Sequence, residues 1–403
     1  MLRLFQVNEG RFVDLEGELT PNSRVGEVCE GVRREGGGGV VLMVADGRQM
    51  EDSELVGAYS PGMEGKPIFV FYQRYLSSPS PPSLPSLLKP RPDLERGLAV
   101  LNQKPYPGLF QKLPPLAKQV SDCSSGLFNM YQSVREDTQL QISGWNAVLR
   151  NCHGIIGVYE KHQQHFSRVL EIFQSSRTHY LQLVNSFPEQ VKLLQQLPVP
   201  AKTTLSPSSS SSLYDWISTH DEKNSLVDLC SECEKALAQG EDGQMASALE
   251  TSRKLLSSCS LERLAIAEED EEGGGREVVR AAELSQLQIR MMENIHSTSQ
   301  RAMRSGDGGT VADLTVSHHR SLQLMNQQKR ELEELVRATE TRKTRITQRI
   351  HQGLRVVTEL QMKINESNSV LVFLHETLKL ARKRFEVLRA GVFVWRGPGR
   401  HRG

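Results

Sequence analysis

At 403 residues the chain has room for two or three domains, and 49 Lys and Arg against 48 Asp and Glu leave it near neutral. That balance excludes a general nucleic-acid binder, which carries a basic excess, although it leaves room for a local basic patch. No apolar run approaches the roughly 20 residues that a membrane span needs.

The first residues, "MLRLFQVNEG", lack the apolar core and cleavage site of a signal peptide. A cytoplasmic protein with a nuclear share is expected. Cysteines scattered at 29, 123, 152, 230, 233 and 259 fit reduced thiols better than a disulfide framework. With 6% aromatic and 24% charged residues, long exposed helices suit the composition better than one large core.

Residues 1–75 read as a small α/β domain. "LRLFQV" and "RFVDLEG" flank the turn signal "NEG" and predict a hairpin. "NSRVGEVCEGVRR" sets Val25, Val28, Cys29 and Val32 on one helical face, and the glycines 36–39 end that helix. "VVLMV" and "PIFVFY" are buried-strand candidates. The order is β-β-α-β-β. Leu2, Leu4, Phe5 and Val7 fall on both strand faces, so one helix packed on one face does not explain all four. This order and size resemble a ubiquitin-like (β-grasp) domain. The last strand ends "FVFYQRY" without a di-glycine tail, which implies an embedded interaction module rather than a conjugated modifier.

Residues 76–114 are a linker, with a proline-rich core "SSPSPPSLPSLLKPRP" that is expected to be extended and mobile. It reads as a tether; "PSPP" and "PPSLP" also offer the spacing of an SH3 ligand. Residues 115–197 are a helical region. Steps of three and four from Trp145 pass through Leu149, Cys152, Ile156, Tyr159, Gln163, Phe166, Leu170, Phe173, Arg177, Tyr180, Val184 and Phe187, and only Gln163 and Arg177 interrupt the stripe. Pro188 marks a break or restart.

A serine-rich linker, 198–212, precedes Leu213, Tyr214, Asp215, Trp216 and Ile217. This cluster reads as an anchor that reattaches the chain to a folded body, with Asp215 or Ser218 capping a helix near 219. The alternative is a short linear motif exposed for a partner groove.

Residues 213–390 read as a second helical region. Two helical segments are expected over 223–268, "EEDEEGGG" at 268–275 as a flexible connector, and a helix over 276–304 broken by "SGDGG". "TVAD" at 310–313 is a capping box. From there to about Ala390 there is no proline. A four-three seam runs through Leu322, Met325, Leu332, Val336, Ile346, Ile350, Val357, Leu360 and Ile364. As one helix this segment is a rod on the order of 120 Å long. Its apolar edge must be covered by another long helix, from this chain or from a second copy. Lys329, Thr339, Lys343 and Gly353 weaken the middle of the seam and read as a bend, or else as positions that set register. Residues 391–403 leave the helical pattern and read as an unrelated or disordered tail.

No catalytic motif stands out. "CSEC" lacks the second pair of a zinc site and reads as buried helical cysteines. His162 and His165 read as solvent-facing, and His318 and His319 point about 100° apart and cannot share an ion. "EGGGG" lacks the Lys and Ser/Thr of a phosphate loop. "KLARKRF" (379–385) reads as a solvated basic face; a lipid or nucleic-acid contact is the alternative. No metal and no cofactor are expected.

Four segments in order carry a further resemblance: "YSPGMEGKPIFVF", "GWNAVLRNCHGIIGVYEKH", "LYDWI" after a polar linker, and "DLTVSHHRSLQLMNQQKRELEEL". Together they resemble the N-terminal region of the retinoblastoma-inducible coiled-coil family of autophagy scaffolds, related to the yeast autophagy-related scaffolds. The resemblance implies a mainly α protein with an N-terminal ubiquitin-like domain and an elongated, coiled-coil-like helical region. It implies a non-enzymatic homodimer that gathers the Unc-51-like kinase and its adaptor subunits at the preautophagosomal structure. Tyr214, Asp215, Trp216 and Ile217 match the family's "LDWI"-like element, and Leu322, Met325 and Leu332 fall in its long helix. The linker before "LYDWI" is shorter than the family's, and the family continues into a long C-terminal coiled coil, so a truncated product is expected. A BAR-type helical dimer on a membrane surface is the rival reading; nucleic acid is not an expected partner.

Overall fold

A computed structural model describes residues 3–13, 20–36, 38–59, 67–198, 212–213, 215, 242–258, 261–266, 269–305 and 308–395. The fold is mainly α with a β-grasp-like N-terminus. By its internal contacts the chain divides into two units, Met1–His153 with Leu261–Thr358, and Gly154–Ser260 with Glu359–Gly403.

Unit 1 begins with β1 (Leu4–Gln6) and β2 (Arg11–Val13), paired antiparallel with Phe5 opposite Phe12. Gly10 makes the turn at φ 67°, a left-handed conformation that costs glycine nothing sterically. Helix α1 (Val25–Gly36) follows, then β3 (Val40–Met43) and β4 (Ile68–Tyr72). The sheet order is β2-β1-β4-β3, with β1 and β4 parallel at the centre. The expected β-β-α-β-β order is the one found. Val25, Val28, Cys29 and Val32 are buried as their spacing predicts, against Leu4, Leu42, Ile68 and Val70. Leu2 lies outside the described residues.

After the short α2 (Arg74–Ser77), residues 79–91 carry no helix or strand, as proline dictates. The middle of this stretch is held: the Leu87 amide donates to Glu340 Oε1 at 2.6 Å. Helix α3 (Pro92–Leu98) has Pro at its first position, where the missing amide is no loss.

Helix α4 (Leu113–Gln196) runs on through Pro188, so the expected break is absent. Pro188 is exposed and removes a single backbone donor. Helix α6 (Glu269–Ser305) takes in the acidic stretch expected as a flexible connector, and α7 (Gly308–Trp395) is continuous; α5 (Asp242–Ser257) belongs to unit 2. The α7 helix starts ahead of Thr310, so Thr310 stands inside the first turn rather than at the cap. It also runs past residue 390, the limit expected from the pattern. Within unit 1, α6 and α7 are antiparallel neighbours. Thr298 Oγ1 hydrogen-bonds His318 Nε2 at 2.8 Å, Gln288 Nε2 donates to the Met325 carbonyl at 2.6 Å, and Arg280 pairs with Glu331 at 2.8 Å. The core here joins Leu94 and Leu98 of α3, Leu113, Val120 and Tyr131 of α4, Leu284 and Ile295 of α6, and Leu322, Met325, Leu332 and Val336 of α7.

Unit 2 packs α5 with parts of α4 and α7. Phe166, Leu170 and Phe173 meet Met245, Leu249, Leu371, Leu374 and Leu378. Gln163 does not interrupt this face. It is buried, and its amide donates to Ser252 Oγ at 2.5 Å, which in turn bonds Ser367 Oγ at 2.6 Å. A buried polar group needs such partners.

Candidate interaction site: a sheet face seated on a helix pair

Side chains alternate across a strand, so a sheet covered on one face shows polar residues on the other. Here both faces are apolar. Leu4, Val40, Leu42, Ile68 and Val70 face α1. Phe5, Val7, Met43, Phe69 and Phe71 belong to a second core with Trp145, Ala147, Val148 and Leu149 of α4 and Ile346, Ile350 and Leu354 of α7. The N-terminal domain is thus built into unit 1 through its second sheet face. This accounts for the apolar residues on both sides of β1.

Close approach is made by small residues. A Cβ on Gly144 would lie 2.4 Å from Val7 Cγ2 and 2.9 Å from Phe69 Cδ1, so the sheet rests on the bare backbone of α4. Trp145, 1% exposed, sends its indole over Gly353, where a Cβ would lie 2.4 Å from Cζ2. The indole N–H finds the acceptor that burial requires, the Leu264 carbonyl, at 2.8 Å. Each large side chain buried here contributes about 1.5–3 kcal/mol.

Of the polar seam residues, Lys343 serves the same junction. Lys343 Nζ donates to the Gly10 carbonyl at 2.8 Å and to Asp137 Oδ2 at 3.0 Å, joining the hairpin turn to α4 and α7. Gln141 Nε2 donates to the Val7 carbonyl at 2.9 Å and to Thr347 Oγ1 at 3.1 Å. Lys329 pairs with Glu333 at 2.6 Å, and Thr339 Oγ1 returns to the Leu335 carbonyl at 2.8 Å. The helix stays continuous through all of them. At the hairpin, burial pushes the Glu9 carboxyl up, but hydrogen bonds from Tyr75 and Arg11 outweigh it, and the group ends below the usual range.

Leu322, Met325, Leu332 and Val336 lie in the first core of unit 1, Ile346 and Ile350 in the second, with Val357 partly buried beside it; Leu360 and Ile364 are buried in unit 2. The cover for the clustered seam residues comes from this chain. Of the anchor cluster, Leu213 and Asp215 are described, and Tyr214, Trp216 and Ile217 lie outside the described residues. The Leu213 amide donates to the Leu197 carbonyl at 2.8 Å. Ser212 Oγ accepts from the Asp215 amide at 3.2 Å while Asp215 Oδ2 accepts from the Ser212 amide at 3.2 Å. This is a capping box. Asp215 thus closes a turn that begins at Leu213; Ser218 and the helix expected near 219 lie outside the described residues.

Burial holds the Cys29 thiol up at about 11, with Asp52 adding to the effect, and burial also raises Cys123 and Cys152. Thiols held this way are poor nucleophiles at neutral pH. His162 and His165 are exposed, whereas His318 and His319 are buried. His318 stacks on Phe110, and burial lowers its pKa. The "CSEC" cysteines lie outside the described residues. Among the described residues no group of three or more His, Cys, Asp and Glu is placed to hold a metal ion, and no helix is long and apolar enough to cross a membrane.

Gly144 is a close-packing position that the periodicity argument missed, and Gly353 is one that it read as a weak point of the seam. The available signals were a glycine beside a tryptophan in one helix and a glycine at a seam position in another.

No family model matches the chain. It is similar to RB1-inducible coiled-coil protein 1 of Homo sapiens and of Mus musculus, at 26% identity over 199 residues in each case. The match covers 48% of this chain and 12% of each relative, so the chain spans a small part of the length of the curated proteins it matches. This similarity establishes a distant relationship.

Proposed function

We propose that the chain is a non-catalytic scaffold that homodimerises and brings the Unc-51-like kinase and its adaptor subunits together at sites of autophagosome formation. The observation that carries this reading is the distant similarity to RB1-inducible coiled-coil protein 1 in a chain of matching character, long helices behind a β-grasp-like domain. The mechanism is avidity. Two copies hold their bound kinases at high effective concentration, which favours activation in trans. The seated N-terminal domain supports the reading physically. A recruiting platform needs its modules at fixed positions, and the close approach of Val7 and Phe69 to Gly144 and the Lys343 bridge fix one module to two helices.

The test is reconstitution with purified kinase and adaptors. The full chain on beads is expected to retain the kinase complex, and light scattering is expected to give twice the 45.2 kDa chain mass. A monomer across the micromolar range that retains no kinase would contradict the proposal.

A further inference from the structure

Between residues 341 and 355 every exposed side chain of α7 is Thr, Gln or Arg. The same stretch carries Arg342, Lys343, Arg345, Arg349 and Arg355 and no acid. A run of cations on an exposed helix is normally interleaved with Glu at three- or four-residue spacing, because such pairs support the helix. Elsewhere α7 follows that rule, with Lys329 and Arg337 both paired to Glu333. Here it does not. Lys343 is committed to Gly10 and Asp137. Arg345, Arg349 and Arg355 are exposed and take part in no ion pair or hydrogen bond among the described residues. At about 100° per residue, Arg349 lies about 40° to one side of Arg345 and Arg355 about 80° to the other. Gln348 and Gln352 fall in the same sector. The result is a donor face of three Arg and two Gln along about 15 Å of helix.

The chemistry of that face selects among anionic partners. A membrane-surface helix needs exposed apolar residues to enter the lipid, and this stretch exposes none. Single-stranded nucleic acid needs aromatic platforms, and the exposed residues here include no aromatic. Duplex binding depends on a broad basic surface, and the chain's net charge is +1. A carboxylate-rich peptide fits better. Arginine takes a carboxylate with two parallel hydrogen bonds, and the glutamines reach the carbonyls of an extended chain.

Acidic segments of the required kind occur in this same chain, where helix α6 opens with Glu269, Asp270, Glu271 and Glu272.

We propose that Arg345, Arg349 and Arg355 of α7 form a docking face for an acidic peptide segment of a partner protein. This goes beyond the scaffold reading and holds whether or not the chain dimerises or carries a kinase.

Fluorescence anisotropy tests it, with the full chain and a labelled peptide of about 15 residues rich in Glu and Asp, beside its Gln/Asn counterpart. The acidic peptide is expected to bind at low salt, more weakly near 0.3 M salt as screening shortens the reach of charge, and the neutral one not at all. The R345Q/R349Q/R355Q variant should lose at least about tenfold in affinity with an unchanged thermal melt. R301Q/R320Q/R330Q, which removes equal charge elsewhere in unit 1, should bind as the parent does. The proposal is overturned if both triple variants lose affinity equally, or if no acidic peptide binds. It is also overturned if phosphatidylserine vesicles or single-stranded RNA bind more tightly with the same arginine dependence.

Discussion

Units 1 and 2 each use α4 and α7 as a packed pair, and each adds a different third partner. In unit 2 that partner is another helix, α5, and the contact is one of large apolar side chains around a buried polar bridge, Gln163–Ser252–Ser367. In unit 1 the sheet of the N-terminal domain sits on the pair, and the contact needs the bare backbone of Gly144. The difference follows from geometry. Helix on helix keeps axes about 8–10 Å apart and tolerates ordinary side chains. A sheet resting on a helix leaves no room for a Cβ at Gly144, and where that helix carries a side chain as large as Trp145 the facing helix leaves none at Gly353. Lys343, which looks weak in a coiled-coil seam, is the residue that ties α7 to the hairpin turn of the sheet.

This comparison can be broken in graded steps. The largest effect is expected from Trp145→Ala, which should cost about 3–5 kcal/mol in urea unfolding and should act on unit 1. Gly353→Ala should cost about 1–3 kcal/mol by overpacking against the indole. The same change should cost far less in the Trp145→Ala background, because the clash partner is gone, and a double-mutant cycle measures that coupling. Lys343→Met should cost about 1–2 kcal/mol, since it strips Asp137 and the Gly10 carbonyl of a partner in a half-closed site. Breaking the exposed Arg253–Glu250 pair of unit 2 with Glu250→Gln should stay within about 0.5 kcal/mol.

A smaller effect comes from pH. Burial holds the His318 pKa below its ordinary 6.5. The unfolded chain then takes up the proton first, so stability is full above pH 6.5 and falls as pH drops from there towards the folded value. Equilibrium unfolding at pH 7.5 and at pH 5.5 should show the loss, and His318→Gln should flatten it.

Much of this was legible in the sequence, and the remainder has a common cause. The β-β-α-β-β order, the buried face of α1 and the continuity of α7 follow from periodicity and turn chemistry, which are local. The second buried sheet face left a trace, since Leu4 and Phe5 are both apolar and adjacent, but the trace did not say what covers it. Gly353 and Lys343 were read as a bend because a one-dimensional seam assigns every position the same kind of neighbour. Their real neighbours, Trp145 and Gly10, lie hundreds of residues away in the chain. Gln163 was misread for the same reason, because its partner Ser252 comes from α5. Pro188 stayed inside α4 because an exposed proline removes one hydrogen bond and a long helix retains the others.

The central claim is that the N-terminal domain is seated in the helical body of unit 1 rather than tethered to it. Amide hydrogen exchange on the full chain, parent against Trp145→Ala, tests this most directly. The account predicts that residues 68–72 of β4 and residues 141–150 of α4 lose protection together in the variant. Loss confined to 141–150, with β4 exchanging as in the parent, would contradict it.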